Sequence, residues 1–269
     1  MSLVAEFYRD AQKEWDRLDI PLFRIEFATT LDLIGNYFKT GDRVADIGGG
    51  PGRYMIELLR RGCRATLFEL SPENVAFAEA KVAEMGLTAD AFLVGDARDL
   101  FPLDGQPFDG ILALGPLYHL AERNERVAFL KQARSLLHPQ GILIAAYLNA
   151  WGIARSLLTD APLWFTDQQN VACLLTGASF VGAQACSGFT ECHWSTPDAA
   201  LAEMQEAGFV ILEEAGAEGF ASGARHALAA IARDSPAALE QIIALGVATS
   251  RLPQYRRSTD HFLIVGKAS

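Results

Sequence analysis

Three acidic side chains stand in chain order at the ends of short apolar runs, and the first of them precedes a glycine-rich turn. Asp46 lies just before the turn at residues 48–52, Glu69 ends the second run and Asp96 follows the third. Glycines let a backbone approach a ligand closely, and the helix that follows favours a negative group at its N-terminus. An acid 21 positions after Gly48 can accept both ribose hydroxyls of an adenosine. The spacing therefore predicts an adenosine-containing ligand, with the third acid on its adenine amino group.

The turn also distinguishes between two adenosine cofactors. A dinucleotide-binding turn carries a third glycine at the sixth position of G-x-G-x-x-G, whereas counting from Gly48 places Arg53 there. Asp46 would lie unfavourably close to a pyrophosphate. S-adenosylmethionine (SAM) carries a positive sulfonium and amino group, so a nearby acid is favourable. The turn favours SAM, and an NAD-dependent oxidoreductase is the weaker alternative.

Alternating strands and helices are expected to position these residues. Short, unalternating apolar runs are typical of buried parallel strands, and helices between them cover both faces of such a sheet. We therefore predict an α/β fold with a doubly wound, mostly parallel sheet. The apolar runs end at Ile47, Leu70, Val94, Leu114 and Leu148, and the helical patterns span 52–61, 72–85 and 121–137.

Four segments are predicted along the chain. They are an N-terminal cap of two helices that meet at Pro21, a cofactor-binding core, an aromatic-rich lid insertion, and a C-terminal part that completes the sheet and carries a helical insertion. Ligands bind at the carboxyl edge of parallel strands, so the lid and the cap are candidates to cover the site. The bounds are 1–40, 41–148, 149–195 and 196–269, with the C-terminal insertion at 216–258.

Several motifs resemble those of the class I SAM-dependent methyltransferases, in particular the ubiquinone/menaquinone-type and small-molecule branch. They cover residues 44–54, 67–72, 95–100 and 108–120, with a further turn at 138–144. The resemblance implies a seven-stranded Rossmann-like methyltransferase sheet with its last strand antiparallel, helical cap insertions, and SAM as cofactor. The cofactor-binding residues it implies are Asp46, Gly48, Gly50, Gly52, Arg53, Glu69, Leu70, Asp96, Ala97, Leu114 and Gly115, with Tyr8 and Arg24 closing over the cofactor.

The methyl acceptor is expected to be a small molecule. Enzymes that methylate exocyclic base amines carry Asn/Asp-Pro-Pro-Tyr after the fourth strand, but residues 114–118 lack a polar first residue. A net charge of −10 also disfavours nucleic acid, whose binding depends on phosphate contacts. Aromatic lid residues predict a mostly apolar pocket with a few polar groups. The candidates on the acceptor side are Tyr118, His119, Tyr147, Trp151, His193 and Trp194.

His119 is the first candidate for a general base, with His193 second. A base is required only if the acceptor is protonated, as a phenol or an alcohol is. Without one, the methyl transfer depends on proximity and alignment. The alternative to an enzyme is a catalytically silent protein that binds SAM or S-adenosylhomocysteine (SAH) in regulation.

Composition bears on location and metal content. No apolar run reaches the roughly 18 residues of a membrane span, and the N-terminus lacks a signal pattern, so a cytoplasmic protein without membrane contact is expected. The four cysteines are scattered, which favours reduced thiols. Cys186, Cys192 and His193 match no common zinc spacing, so no metal is predicted. Nothing in the sequence specifies the number of subunits.

Overall fold

The computed structural model describes residues 3–176, 179–180 and 190–269. The helices are α1 (Leu3–Phe7), α2 (Ala11–Arg17), α3 (Pro21–Tyr37), α4 (Arg53–Arg60), α5 (Pro72–Glu84), α6 (Pro116–His119), α7 (Arg123–Leu136), α8 (Ala150–Asp160), α9 (Gln168–Thr176), α10 (Pro197–Glu206), α11 (Arg225–Asp234) and α12 (Pro236–Thr249). The strands are β1 (Arg43–Ile47), β2 (Arg64–Glu69), β3 (Ala91–Val94), β4 (Phe108–Ala113), β5 (Leu137–Asn149), β6 (Ser179–Phe180), β7 (Cys192–Ser195), β8 (Phe209–Gly216) and β9 (His261–Ala268).

Seven strands form a continuous, mostly parallel sheet in the order β3-β2-β1-β4-β5-β9-β8. Neighbours are parallel except at β9, which runs antiparallel to both β5 and β8. The predicted seven-stranded sheet with an antiparallel last strand is therefore confirmed. Strands β6 and β7 were not predicted, because two to four residues are too few to show a periodic pattern. Strand β7 pairs in parallel with Leu148 and Asn149, beyond the end of β4, and β6 pairs with β7.

Helices cover both faces of the sheet, as the doubly wound arrangement requires. Neighbouring residues of β1 point to opposite faces and enter different apolar clusters. Ala45 joins the cluster beneath α7 and α10, which also contains Phe129 and Met204. Val44 joins the cluster beneath α3, α4 and α5, which contains Met55. In the described part of the chain, no helix is long and apolar enough to span a bilayer.

Two helical stretches are divided where the sequence analysis expected continuity. The first N-terminal helix is split into α1 and α2, because Asp10 caps α2 by accepting a hydrogen bond from the Lys13 amide at 3.0 Å. The cap therefore has three helices before β1, and the prediction of two was wrong. The helical insertion predicted at 216–258 is divided in the same way, into α11 and α12. Ser235 caps α12 by accepting from the Ala238 amide at 3.3 Å.

Gln140, in the first part of β5 where its register with β4 shifts, has a left-handed backbone with φ of 73°. A side chain costs about 1–2 kcal/mol in this region, and glycine loses about 0.5–1 kcal/mol more entropy on folding. Gln140→Gly should therefore raise the free energy of unfolding by roughly 0.5–1 kcal/mol and the melting temperature by roughly 1–3 °C. Calorimetry measures both. His138→Gly, at an exposed position without positive φ, should lower the melting temperature; a fall in both variants would contradict the argument.

Candidate functional site

A cavity lies at the carboxyl edge of the parallel strands, beneath α1 and α2. Eleven of the thirteen residues predicted to bind or close over the cofactor line it: Tyr8, Asp46, Gly48, Gly50, Arg53, Glu69, Leu70, Asp96, Ala97, Leu114 and Gly115. Gly52 is not among the lining residues; it is the N-cap of α4. The structure thus brings the residues from four strand ends together around one space.

The glycines of the first turn are required by their geometry. Gly48 and Gly50 have φ of 67° and 55°, a region that L side chains rarely adopt. A Cβ on Gly48 would lie 2.7 Å from Pro116 Cγ, and one on Gly115 would lie 3.2 Å from the Gly48 carbonyl oxygen. The loops after β1 and β4 therefore pack against each other through bare backbone, and that backbone forms the cavity floor.

Glu69 connects two loops of the cavity. Its carboxylate accepts hydrogen bonds from the amides of Gly50 at 3.0 Å and Ser71 at 2.9 Å. Burial raises the pKa of this carboxyl, although the two amide bonds act in the opposite direction. The carboxylate is thus fixed between the loops after β1 and β2, with its remaining lone pairs directed at the cavity.

Asp46 has an unusual environment for a carboxyl group. It is fully buried, and neither oxygen has a hydrogen-bond partner among the described residues. A Cβ on Gly49 would lie 2.5 Å from its Cγ, so the turn closes directly over it. Burial and the nearby Glu69 carboxylate raise the pKa of Asp46 to about 7, while the backbone amide of Met55, which is near but forms no hydrogen bond of normal geometry, acts in the opposite direction. A buried acid without a partner fits a cationic ligand and does not fit a pyrophosphate.

Asp96 differs from the other two acids because it lies at the rim. Its side chain is 43% exposed and pairs with the Arg98 guanidinium at 2.9 Å. Arg98 also pairs with Glu125 on α7 at 2.9 Å. Arg98, which was not singled out from the sequence, therefore holds Asp96 in place. Asp96 and its neighbour Ala97 both lie in the cavity wall.

The N-terminal helices contribute a charged wall that the sequence analysis missed. Arg17 pairs with Glu14 at 2.5 Å and with Glu26 on α3 at 3.4 Å, and all three residues line the cavity. Glu14 Cγ lies 3.9 Å from the Cβ position of Gly50, so α2 covers the glycine turn. The signal in the sequence was an acid and an arginine three residues apart on one helix face, which is also typical of a solvated surface.

Two arginines stabilise the position of the cap. Arg53 donates to the Trp15 carbonyl oxygen at 3.0 Å and pairs with Asp19 at 3.0 Å, which joins α4 to α2. Arg24, expected to close over the cofactor, instead pairs with Glu240 on α12 at 2.7 Å and does not line the cavity. That expectation was wrong, because Arg24 lies on the face of α3 that packs towards the C-terminal helices.

His119 lies at the end of α6 in contact with the N-terminal segment. Its Nδ1 is 2.9 Å from the Glu191 carbonyl oxygen, and its Nε2 is 3.0 Å from the Tyr8 hydroxyl. Since a carbonyl oxygen only accepts, Nδ1 carries the proton and Nε2 accepts from Tyr8. Burial lowers the pKa of His119 to about 4. At neutral pH the ring is therefore uncharged, with its Nε2 lone pair on the cavity side.

Of the six residues proposed for the acceptor side, Tyr118 and His119 line the cavity. Tyr147 is placed elsewhere: it is 1% exposed and stacks on Phe262 with ring centroids 5.4 Å apart. Trp151 is half exposed on α8. Aromatic composition alone could not tell which face of β5 or α8 each ring would occupy.

The two candidates on β7 also lie away from the cavity lining. His193 is buried, with Nδ1 3.0 Å from the Ser179 hydroxyl, and Trp194 packs against Trp164 at 5.5 Å. Burial lowers the pKa of His193 to about 4. Cys186, considered with them for a metal, lies outside the described residues.

A buried ionic network lies behind the charged wall. His261 Nδ1 is 2.7 Å from Glu218 and 3.8 Å from Glu26. Burial alone would lower the pKa of His261, but the two carboxylates raise it to about 9, so the ring is a cation at neutral pH. One atom from each of the three side chains lies within 4.8 Å of the others, a spacing that a metal could use. The imidazolium and Arg17 already neutralise these carboxylates.

Comparisons with known proteins agree with this geometry. Residues 44–141 match the family model described as a methyltransferase domain. The ubiquinone biosynthesis O-methyltransferase of Azorhizobium caulinodans is 30% identical over 179 residues, which cover 65% of this chain and 62% of that protein. The chain thus spans about three-fifths of the length of this curated relative.

Solved structures show the same fold at low identity. The 1,6-didemethyltoxoflavin-N1-methyltransferase of Burkholderia thailandensis, with SAH bound, has a TM-score of 0.55 and 16% identity, covering 97% of this chain and 84% of its own. The [4+2]-cyclase SpnF has a TM-score of 0.56 and 20% identity, covering 90% and 80%. Residues 44–141 are thus a methyltransferase domain, the chain has the fold of SAM-dependent methyltransferases, and SAM is its cofactor.

Glu69→Ala should weaken SAH binding roughly tenfold to a hundredfold, because charged hydrogen bonds to the ligand would be lost. Isothermal calorimetry measures the dissociation constant. Glu79→Ala removes an acid from the exposed face of α5 and should bind SAH like the wild type. An unchanged affinity in folded Glu69→Ala would refute the assignment.

SAM affinity should rise with pH through the pKa of Asp46. Because that pKa is about 7 in the ligand-free fold, Asp46 is mostly protonated at pH 6, and a cationic ligand must displace the proton. Affinity should fall by up to about tenfold per pH unit below 7 and level off above 8. Calorimetry from pH 6 to 8.5 tests this. Asp46→Asn should remove most of the pH dependence of SAM affinity. Glu69→Gln measures how much of that dependence comes from the second carboxyl. If the affinity of the wild type does not change with pH, Asp46 does not bind the cationic part of SAM.

Proposed function

We propose that the protein transfers the methyl group of SAM to a hydroxyl oxygen of a small-molecule acceptor. The observation that carries the proposal is the juxtaposition of the cofactor residues with the Tyr8–His119 pair in one cavity. An oxygen acceptor is favoured because a hydroxyl is the kind of group that needs a base. The relative from Azorhizobium caulinodans is named an O-methyltransferase, which supports the same choice.

The residues of the cavity would bind SAM and align its methyl group with the acceptor. When bound, SAM supplies an electrophilic methyl group on its sulfonium. Glu69 would hold the ribose and Asp96 with Ala97 the adenine edge, while Asp46 and the glycine turn hold the methionine part. Leu114 and Gly115 form the wall on the side of Tyr118. Fixing both partners in line supplies much of the rate of such a displacement.

Proton removal is the second task. The lone pair of His119 Nε2 is fixed towards the cavity, because Nδ1 donates to the Glu191 carbonyl oxygen. A hydroxyl becomes strongly acidic as its oxygen bonds to carbon, so a weak base suffices. The acceptor proton passes to the Tyr8 oxygen as the Tyr8 proton passes to Nε2, and the imidazolium then releases it to solvent. Burial raises the pKa of Tyr8 well above its ordinary value, which keeps this relay neutral at rest.

Charge and thiols bear on the partners and the location. A net charge of −10 and the Glu14–Arg17–Glu26 wall support a small acceptor over a nucleic acid. In the described part of the chain, the buried thiol of Cys63 forms no disulfide. This supports the cytoplasm as the location.

A catalytically silent SAM- or SAH-binding protein is the second candidate. The observation in its favour is the low basicity of His119, whose pKa of about 4 makes it a weak base. The two candidates differ in turnover. SAH formation from SAM can be measured by mass spectrometry with a panel of phenols, aliphatic alcohols and amines. Tight SAM binding without turnover on any panel would favour the silent protein.

His119→Gln should lower kcat about a hundredfold or more with the best acceptor, while SAH affinity stays within about twofold. The base would be lost, but the cofactor contacts would remain. Tyr8→Phe should lower kcat less, since water can connect the acceptor to Nε2. His138→Gln changes an exposed histidine and serves as the control. Equal kcat for the wild type and His119→Gln across pH 6–9 would reject the base.

A further inference from the structure

Asn74, on the first turn of α5, is fully buried and lines the cavity. Neither its amide nitrogen nor its amide oxygen has a hydrogen-bond partner among the residues that the structure describes. A side-chain amide has two donor hydrogens and an acceptor oxygen, and burying all of them without partners is unfavourable. Such a group in a cavity wall indicates a ligand that supplies the missing bonds.

The position of Asn74 on the helix makes the polar side chain more notable. Residues 74, 78 and 82 follow one another at helical spacing and form a buried stripe of α5. Ala78 Cβ lies 2.9 Å from the Cβ position of Gly52, so this stripe packs against the glycine turn. The other two members, Ala78 and Val82, are apolar. Asn74 is therefore a polar residue where packing alone favours an apolar one.

The helix start fixes the direction of Asn74. The Ser71 hydroxyl accepts a hydrogen bond from the backbone N–H of Asn74 at 3.2 Å, which holds Asn74 in the first turn of α5. Its side chain lies close enough to the Glu69 carboxyl to lower the pKa of that group, but the two groups do not form a hydrogen bond of normal distance and angle. Asn74 thus lies beside Glu69 in the cavity wall.

We propose that Asn74 binds the ribose of the cofactor, with its amide donating to a hydroxyl oxygen whose proton Glu69 accepts. A carboxylate only accepts, so it leaves the oxygens of a ribose diol without donors. The Asn74 amide supplies donors on the same side of the cavity. Paired with Glu69, it also discriminates a ribose from a sugar that lacks these hydroxyls. This assignment rests on the cofactor site proposed above.

The test is to measure by calorimetry how tightly Asn74→Leu binds SAH and 5′-methylthioadenosine. The second ligand has the adenosine but lacks the amino-acid end. Both ligands should bind about tenfold more weakly, since a lost neutral hydrogen bond and an unpaired ligand hydroxyl are of that size. The melting temperature of the ligand-free variant should equal or exceed that of the wild type, because an unpartnered buried amide has been removed. Asn74→Ala is the second variant if the leucine does not fold.

Thr29→Val is the matched control, because the Thr29 hydroxyl is also buried without a partner but does not line the cavity. It should bind SAH like the wild type. Unchanged affinity in Asn74→Leu, loss for SAH but not for 5′-methylthioadenosine, or a loss accompanied by a marked fall in melting temperature would each overturn the assignment. Failure of the wild-type protein to bind SAH would instead overturn the cofactor site itself.

Discussion

The Glu69 carboxylate determines the geometry of the cavity. It accepts one hydrogen bond from the loop after β1 and one from the loop after β2, so a single side chain sets the distance between the two loops. The glycine turn can then close over Asp46, and α5 can pack its small Ala78 against Gly52. Burial of two carboxyl groups side by side is costly. This local instability is what a ligand with hydroxyls and positive charge would relieve.

The acceptor half depends on a second set of buried charges. Arg17 lies between Glu14 and Glu26, and Glu26 is close to His261, which pairs with Glu218. Removing one member of such a network leaves an uncompensated charge, so the members are expected to depend on one another strongly. The network ties the N-terminal helices to β9. Tyr8 reaches His119 only because that cap is held in place.

The donor half of the site was largely predictable and the acceptor half was not. The carboxyl ends of parallel strands meet at one edge, so Asp46 and Glu69 had to converge once the strands were identified. Arg17, Glu26 and His261 come from separate helices and the last strand, and no local spacing relates them. Tyr147 and Trp151 were misplaced because apolar composition does not specify which face a ring occupies. Asn74 did leave a signal, a polar residue in the apolar stripe of α5, but such a signal gains meaning only with burial.

The lid is attached to the sheet by very little main chain. Among the described residues, β7 pairs with the main sheet at Leu148 and Asn149, the last residues of β5, and its other partner is the short strand β6. Helix α8 is coupled to the core, since the Ser156 hydroxyl bonds the Asp260 carboxylate, whereas substitutions in β6 and β7 should affect the stability of the core less. Evolution can alter the lid while the donor half stays constant, so one scaffold can diversify its chemistry by drift in a peripheral segment. The same attachment makes the segment a practical boundary for recombination between related enzymes.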